Sequence, residues 1–176
     1  ELGGDCLVAL TFVKDGKGDN HPQVARAVKR VQEACSKGNP FDSQTKALYS
    51  GGIAFIFLCE LDPVKYRREI DYIFGEIIKR QQPAGGWSYP NFATGDTSQT
   101  QYAALSLWMA KNAGLQVPMD SAERLAGWLL RTQDPSGAYG YQGIDNGGQR
   151  SPQQQISISL TAAGQATGEK LWRLPL

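Results

Sequence analysis

One signature occurs twice in this chain, and this internal repeat constrains the fold more than any other feature. In each copy an aliphatic residue is followed, at fixed spacing, by a Gln, a Gly and an aromatic residue. These residues are Gln81, Gly85 and Trp87 in the first copy and Gln133, Gly137 and Tyr139 in the second, 52 positions later. A period of that length fits one helical hairpin and its loops, and such hairpins bury their apolar faces only against neighbouring copies. The sequence therefore predicts a helical repeat protein.

Length and composition narrow the possible functions. The 176 residues, 41% of them hydrophobic, suffice for one domain with a core. A net charge of +1 gives no electrostatic basis for binding nucleic acid. The longest apolar run, 51–59, is too short to span a bilayer, so we expect no transmembrane segment. We expect a single domain over 1–176. Because the first residue is Glu1, we expect either a processed chain or a domain excised from a longer protein, and the compartment stays open.

Helical spacing of apolar residues, together with turn residues, predicts seven helices and no strands. The first helices of the hairpins are predicted at 3–14, 43–60, 97–112 and 152–166. The second helices are predicted at 22–36, 63–82 and about 120–132. Asp96-Thr97-Ser98 is expected to cap the helix that follows, Gly114 to end that helix, and Asp120 or Ser121 to cap the next one.

The predicted helices are of two kinds. The first helix of each hairpin is uncharged and rich in small residues, as in Gly51-Gly52 and Ala103-Ala104, so it should be surrounded by protein. The second helix carries a charged stripe and should face water on one side. The sequence therefore predicts an all-α fold with an inner and an outer layer of helices.

The repeated signature resembles a known motif. Trp128-Leu129, Gln133, Gly137 and Tyr139 are spaced as in the QW motif of squalene and oxidosqualene cyclases and of the related prenyltransferase repeat. The segment 95–102, Gly-Asp-Thr-Ser-Gln-Thr-Gln-Tyr, is similar to the inner helix of prenyltransferase-like repeat proteins of unassigned function. The resemblance covers about 43–141. It implies an α/α toroid, here a partial one, because seven helices are fewer than a closed toroid needs.

The motif has a physical interpretation that favours a role in folding. A Gln side chain can tie the last carbonyls of an outer helix to the amides of the next, while the aromatic residue after the Gly covers the join. Gln81, Trp87, Gln133 and Tyr139 are therefore expected to reinforce the fold rather than to take part in a reaction.

The catalytic residues of the enzymes in this family have no counterpart in the chain. Triterpene cyclases use an Asp-x-Asp-Asp run, which is absent. Protein prenyltransferases bind zinc through an Asp, a Cys and a His; Asp5, Cys6 and His21 supply these types without the family's spacing. His21, the only histidine, is expected to lie in a solvated loop. We predict no catalytic residue, no metal site and no cofactor.

Polar residues at the starts of the inner helices form the candidate binding site. Asp5, Asp42 and Asp96 each precede a predicted inner helix and would lie on one rim of a toroid, either as N-caps or as part of a ligand site. A carboxyl group exposed there would keep its ordinary pKa and make a poor acid. The predicted ligand-binding residues are Asp42, Gln44, Tyr49, Asp96, Gln99, Gln101, Tyr102 and Trp108.

Three functions remain open. The chain could bind an apolar small molecule or a peptide on the concave surface of its inner helices, it could be part of a terpene cyclase or prenyltransferase completed by other residues, or it could be a structural scaffold. The first helix, 7–13, and the last, 156–163, are as apolar as the interior helices. We therefore expect self-association, or contact with further hairpins of the same protein, at uncovered flanks.

Overall fold

The computed structural model of the protein describes residues 1–41, 48–90, 94–133, 135 and 137–142, and within these ranges the regular structure is entirely helical. The helices are α1 Leu2–Lys14, α2 Pro22–Ser36, α3 Tyr49–Leu61, α4 Arg67–Lys79, α5 Thr97–Asn112 and α6 Met119–Thr132. The all-α prediction is confirmed. The predicted helix at 152–166 and the predicted start of α3 at 43–47 lie outside the described residues.

The first helices of the three hairpins pack side by side. α3 lies between α1 and α5. Small residues allow the helices to approach closely: Gly3 faces the backbone of Ser50, and Gly52 faces the side chain of Tyr102. Lys14 and Glu60, at the far ends of α1 and α3, form an ion pair of 2.7 Å. Because contacts join like ends, the three helices run parallel, and their N-terminal ends share one edge.

The second helices of the first two hairpins cover this row. α2 packs on α1, α4 packs on α3, and α2 and α4 also touch. The Phe55 ring of α3 stacks on the Phe74 ring of α4 with centroids 5.6 Å apart. α2 and α4 each bury one apolar stripe and expose charged residues, whereas no residue of α3 is exposed. The predicted difference between the two kinds of helix is confirmed for α3 and α4, whereas α1 exposes Leu7 and Val8 and is not surrounded by protein.

The two copies of the signature have equivalent local geometry. Gln81 Nε2 donates to the carbonyl of Gly85 at 2.8 Å, and Gln133 Nε2 donates to the carbonyl of Gly137 at 3.1 Å. Both glycines have a positive φ, 101° and 85°, which favours a residue without a side chain. The residues of the first copy also fix α6, because Gln81 Nε2 donates to the Ser121 carbonyl and Gln81 Oε1 accepts from the Ser121 hydroxyl.

This geometry corrects the predicted role of the Gln. Gln81 bonds the following turn and the start of α6, and not the carbonyls at the end of its own helix. The aromatic residue takes that role, since Trp87 Nε1 donates to the Ile77 carbonyl in the last turn of α4 at 2.7 Å. The long indole reaches back into the helix, whereas the Gln side chain points towards Ser121.

Several predicted helix starts are wrong. Asp5 does not precede α1 but lies in its first turn, where its carboxylate pairs with Arg26 and Arg30 of α2. α6 begins at Met119 without a side-chain cap, since the hydroxyl of Ser121 is already used by Gln81. Asp120, the other predicted cap of α6, instead pairs with Arg124 one turn later.

The start of α4 is also later than predicted. The helix begins at Arg67 and not near 63. The carboxylate of Asp62 accepts hydrogen bonds from the amides of Val64 and Lys65, at 3.0 and 2.8 Å. These bonds hold the chain in a turn before the helix, which is the usual competition of an Asp side chain with helical bonding.

The exposed face of α1 carries two large apolar residues. Leu7 and Val8, 52% and 50% exposed, lie between Gly4 and Thr11 at helical spacing. On the side towards α2, Asp5 is paired with two arginines and the Phe12 ring stacks on His21 with centroids 4.1 Å apart. His21 is therefore half-buried, which corrects its expected place in a solvated loop.

Candidate functional site

A stripe of half-buried residues runs along α3 on the side away from the outer helix. Its residues are Tyr49, Ile53, Ile56 and Glu60. A spacing of three to four residues puts them on one face, away from Phe55, which packs on α4. The same positions in α5, 52 residues later, are Gln101, Leu105, Trp108 and Asn112, which are half-buried or exposed. We call these two stripes, together with Tyr102, the inner face.

The inner face is apolar along most of its length. Glu60 is the one charged residue among those that define it, and Ile53, Ile56 and Leu105 occupy its middle. The neighbouring helix α1 adds Leu7, whose side chain is 52% exposed. Apolar side chains that stay accessible on adjacent helices are a frequent feature of binding surfaces.

A hydrogen-bonded polar network closes the N-terminal end of the inner face. The Tyr49 hydroxyl lies 3.0 Å from the Tyr89 hydroxyl and 2.7 Å from Ser98 Oγ. Ser98 Oγ in turn bonds to the carboxylate of Asp96. Because an ionised carboxylate only accepts, Ser98 donates to Asp96, and Tyr49 then donates to Ser98.

Asp96 at the end of this network is fully buried. Its Oδ1 accepts the backbone N–H of Gln99 at 2.9 Å, which confirms the predicted N-cap of α5. Burial raises the pKa of Asp96, while hydrogen bonds from Ser98, the Gln99 amide and Tyr141 act in the opposite direction. Among the described residues, no group bonds Asp96 Oδ2 with normal hydrogen-bond geometry. The Tyr141 hydroxyl nevertheless lowers the pKa of the carboxyl group. The expectation of an exposed Asp with an ordinary pKa is wrong, because the network covers the carboxyl group.

Tyr49 and Tyr141 stay protonated at neutral pH because their pKa values are raised. Burial is the main cause that raises the pKa of Tyr49 and of Tyr141, and the charge of Asp96 adds to it in both. Neutral phenols can donate and accept at once, which suits them to link polar groups of a ligand or of the protein.

The structure separates the predicted site residues into groups. Tyr49, Asp96 and Tyr102 lie together at the N-terminal end, where the Tyr49 and Tyr102 rings meet edge to face at 5.4 Å. Trp108 lies near the C-terminal end of α5. Gln101 is half-buried on the inner face. Asp42 and Gln44 lie outside the described residues.

Gln99 is not available to a ligand through its carbonyl. Its side chain is fully buried, and Oε1 accepts the backbone N–H of Leu48 at 2.7 Å. This bond ties α5 to the residue that precedes α3, so Gln99 aligns the two inner helices.

Tyr89, Ser98 and Tyr141 were not predicted as site residues. The repeat itself carried the signal for the tyrosines, because Tyr89 and Tyr141 lie 52 positions apart and each follows the aromatic residue of its signature by two positions. Ser98 was interpreted only as part of a helix cap.

A cleft lies at the opposite, C-terminal end of the inner face. Its volume is about 260 Å³, and it opens between the ends of α3 and α5. Cys59 and Glu60 line it from α3, and Trp108, Met109 and Asn112 line it from α5. The inner face therefore joins a polar network at one end to a small cleft at the other.

No three or more His, Cys, Asp or Glu side chains in the part of the chain that the structure describes are grouped so that they could hold a metal ion. None of the six helices found there combines the length and the hydropathy needed to cross a bilayer.

Comparison of the chain with models of known protein families and with curated protein sequences gives no significant match.

Proposed function

We propose that the chain is a prenyltransferase-like repeat domain of the α/α-toroid type, and that it binds an apolar small molecule or peptide on the concave surface of its inner helices. The observation that carries the binding proposal is the inner face, where an accessible apolar stripe on α3 recurs 52 positions later on α5. The family assignment is supported by the matching bonds Gln81 to Gly85 and Gln133 to Gly137.

The polar network gives such a ligand an orientation. An apolar body lying along Ile53 and Leu105 would place one end against the hydroxyls of Tyr49 and Tyr89. A few polar groups at the edge of an apolar surface are typical of small-molecule sites, because they fix orientation while the apolar area supplies most of the affinity.

One observation favours the alternative of an enzyme fragment. Burial raises the pKa of Asp96, and a raised pKa is what general-acid catalysis by a carboxyl group requires. However, Asp96 is completely buried and caps α5, so a substrate could reach it only through Ser98 and Tyr49. The binding function is better supported for that reason.

Binding of the neutral fluorescent dye Nile red tests the proposal. Leu105→Lys, in the middle of the inner face, should weaken dye binding by about tenfold or more, because it places a charge in the apolar stripe. Leu7→Lys, at an exposed position of α1, should weaken it by a smaller factor and is less prone to unfold the protein.

Leu130→Lys provides the matched control. Leu130 is 76% exposed on α6, outside the inner face, so this variant should bind the dye as the wild type does. If Leu130→Lys weakens binding as much as Leu105→Lys and Leu7→Lys, the inner face is not the binding surface.

A further inference from the structure

The cleft at the C-terminal end of the inner face has a negative electrostatic character. It opens where α3 ends at Leu61 and α5 ends at Asn112, and the C-terminus of each helix carries a partial negative charge. The carboxylate of Glu60 adds a full negative charge, and its side chain is 30% exposed. Among the residues that the structure describes, the cleft lining includes no Lys or Arg.

The remaining lining suits a cation that carries alkyl groups. Trp108 contributes an indole ring, and the faces of indole rings attract cations. Met109 and Cys59 contribute polarisable sulfur atoms. Burial raises the pKa of Cys59 to about 12, with a further increase from Glu60 and a decrease from Arg67, so this side chain is a neutral thiol.

We propose that this cleft binds the alkylammonium group of a small ligand, held between the Glu60 carboxylate and the Trp108 ring. A volume of about 260 Å³ accommodates a trimethylammonium group with a short chain but not a large apolar molecule. The proposal rests on the proposed binding function and deepens it, because the cleft forms one end of the inner face. The same group can come from a free alkylammonium ion or from a methylated lysine side chain of a peptide.

Lys14 provides a specific check on this proposal. Its Nζ lies 2.7 Å from Glu60 Oε2 and does not line the cleft, so it competes with any ligand cation for that carboxylate. The Lys14 side chain is 59% exposed, so replacing it should not disturb the core. Arg67 acts on Cys59 from α4 and is paired with Asp71 on its own helix, and Lys111 lies in the last turn of α5.

Calorimetric titration of the full chain with choline, and with its uncharged isostere 3,3-dimethylbutan-1-ol, tests the proposal. Choline should bind at least about fivefold more tightly than the alcohol, which reflects the cation–π and carboxylate contacts. Glu60→Gln and Trp108→Leu should each remove most of this difference. Lys14→Met should tighten choline binding about two- to fivefold, as expected when a competing surface ion pair is lost.

Lys79→Met is the matched control for Lys14→Met, since Lys79 forms a similar surface ion pair with Glu76 on α4, and it should leave choline affinity unchanged. A short peptide containing trimethyllysine distinguishes the two sources. Tighter binding of the peptide than of choline identifies a methylated lysine of a peptide, and tighter binding of choline identifies a free alkylammonium ion.

Equal affinity for choline and the alcohol would overturn the proposal, as would choline binding that Lys14→Met leaves unchanged or weakens. If Nile red binding still responds to Leu105→Lys in that case, the proposed function stands and only the cation site is wrong. If Leu105→Lys has no effect on Nile red while choline binding follows the pattern above, the apolar surface is the part that fails.

Discussion

Replacement of Gln81 by Ala should destabilise the protein far more than the equivalent replacement of Gln133. Gln81 makes three side-chain hydrogen bonds, to the Gly85 carbonyl, to the Ser121 carbonyl and from the Ser121 hydroxyl. Gln133 makes one bond in the described part of the chain, to Gly137, at an exposed position. The two residues occupy the same position in the repeat, so each variant serves as the control for the other.

The magnitudes follow from the number and burial of these bonds. A net contribution of about 1 kcal/mol per bond predicts that Gln81→Ala lowers the free energy of unfolding by about 2–4 kcal/mol. The substitution also removes the hydrogen-bond partner of the Ser121 hydroxyl, and Ser121 is only 1% exposed. Gln133→Ala should lose about 0.5–1 kcal/mol. The first value is a large share of the roughly 5–15 kcal/mol by which a typical domain is stable.

Urea unfolding followed by tryptophan fluorescence measures both losses. Trp87 and Trp128 are buried close to the turn at Gly85, so their emission reports on the contact between this turn and α6. The slope of the free energy of unfolding against urea concentration should stay constant while the midpoint falls. Equal losses for the two variants, or a loss below about 0.5 kcal/mol for Gln81→Ala, would refute the argument that these bonds hold α6 in place.

Three further predictions concern single residues. Gly85→Ala should cost more than about 2 kcal/mol, because φ is 101° and an added Cβ would lie 2.2 Å from the Arg124 carbonyl oxygen, whereas Gly75→Ala, with open space around it, should be neutral or stabilising in the same urea assay. The folded-state pKa of Asp96 is raised, so its contribution to stability is present below its unfolded pKa and is lost as pH rises through the folded pKa. The free energy of unfolding of Asp96→Asn relative to wild type should therefore increase as pH rises from below the ordinary pKa of an Asp through the raised folded-state pKa, and a constant difference would contradict this. Glu76 should behave in the opposite way: Lys79 and Arg80 lower its pKa, so its contribution is lost as pH falls through the folded pKa, and Glu76→Gln should abolish that part of the acid sensitivity.

The sequence predicted helix starts and ends correctly where they depend on residues close to one another in the chain. Pro22 begins α2, Asp96 caps α5, and the positive φ of Gly114, 72°, follows the end of α5 as expected. The positions of Asp5 and Ser121 as helix caps were predicted wrongly because both residues bind partners on other elements, which short-range rules do not include.

The candidate site was predicted in part. The sequence identified Tyr49, Asp96 and Tyr102, which do lie together. It also grouped Trp108 with them, although Trp108 lies almost two helical turns beyond Tyr102 and lines a separate cleft. Gln99 was interpreted as a ligand residue, but its carbonyl instead aligns α5 with the residue before α3.

The sequence by itself determined the repeat, the all-α class and the difference between uncharged and amphipathic helices. These properties follow from periodicities of 3.6 and 52 residues, which are visible without any knowledge of contacts between distant residues. Only the tertiary structure decided that Asp96 is buried with a raised pKa, that Gln81 holds Ser121, and that Glu60 and Trp108 line one cleft. The physical reason is that desolvation, hydrogen bonding and cavity shape depend on contacts between residues that are distant in sequence, and local sequence patterns do not specify those contacts.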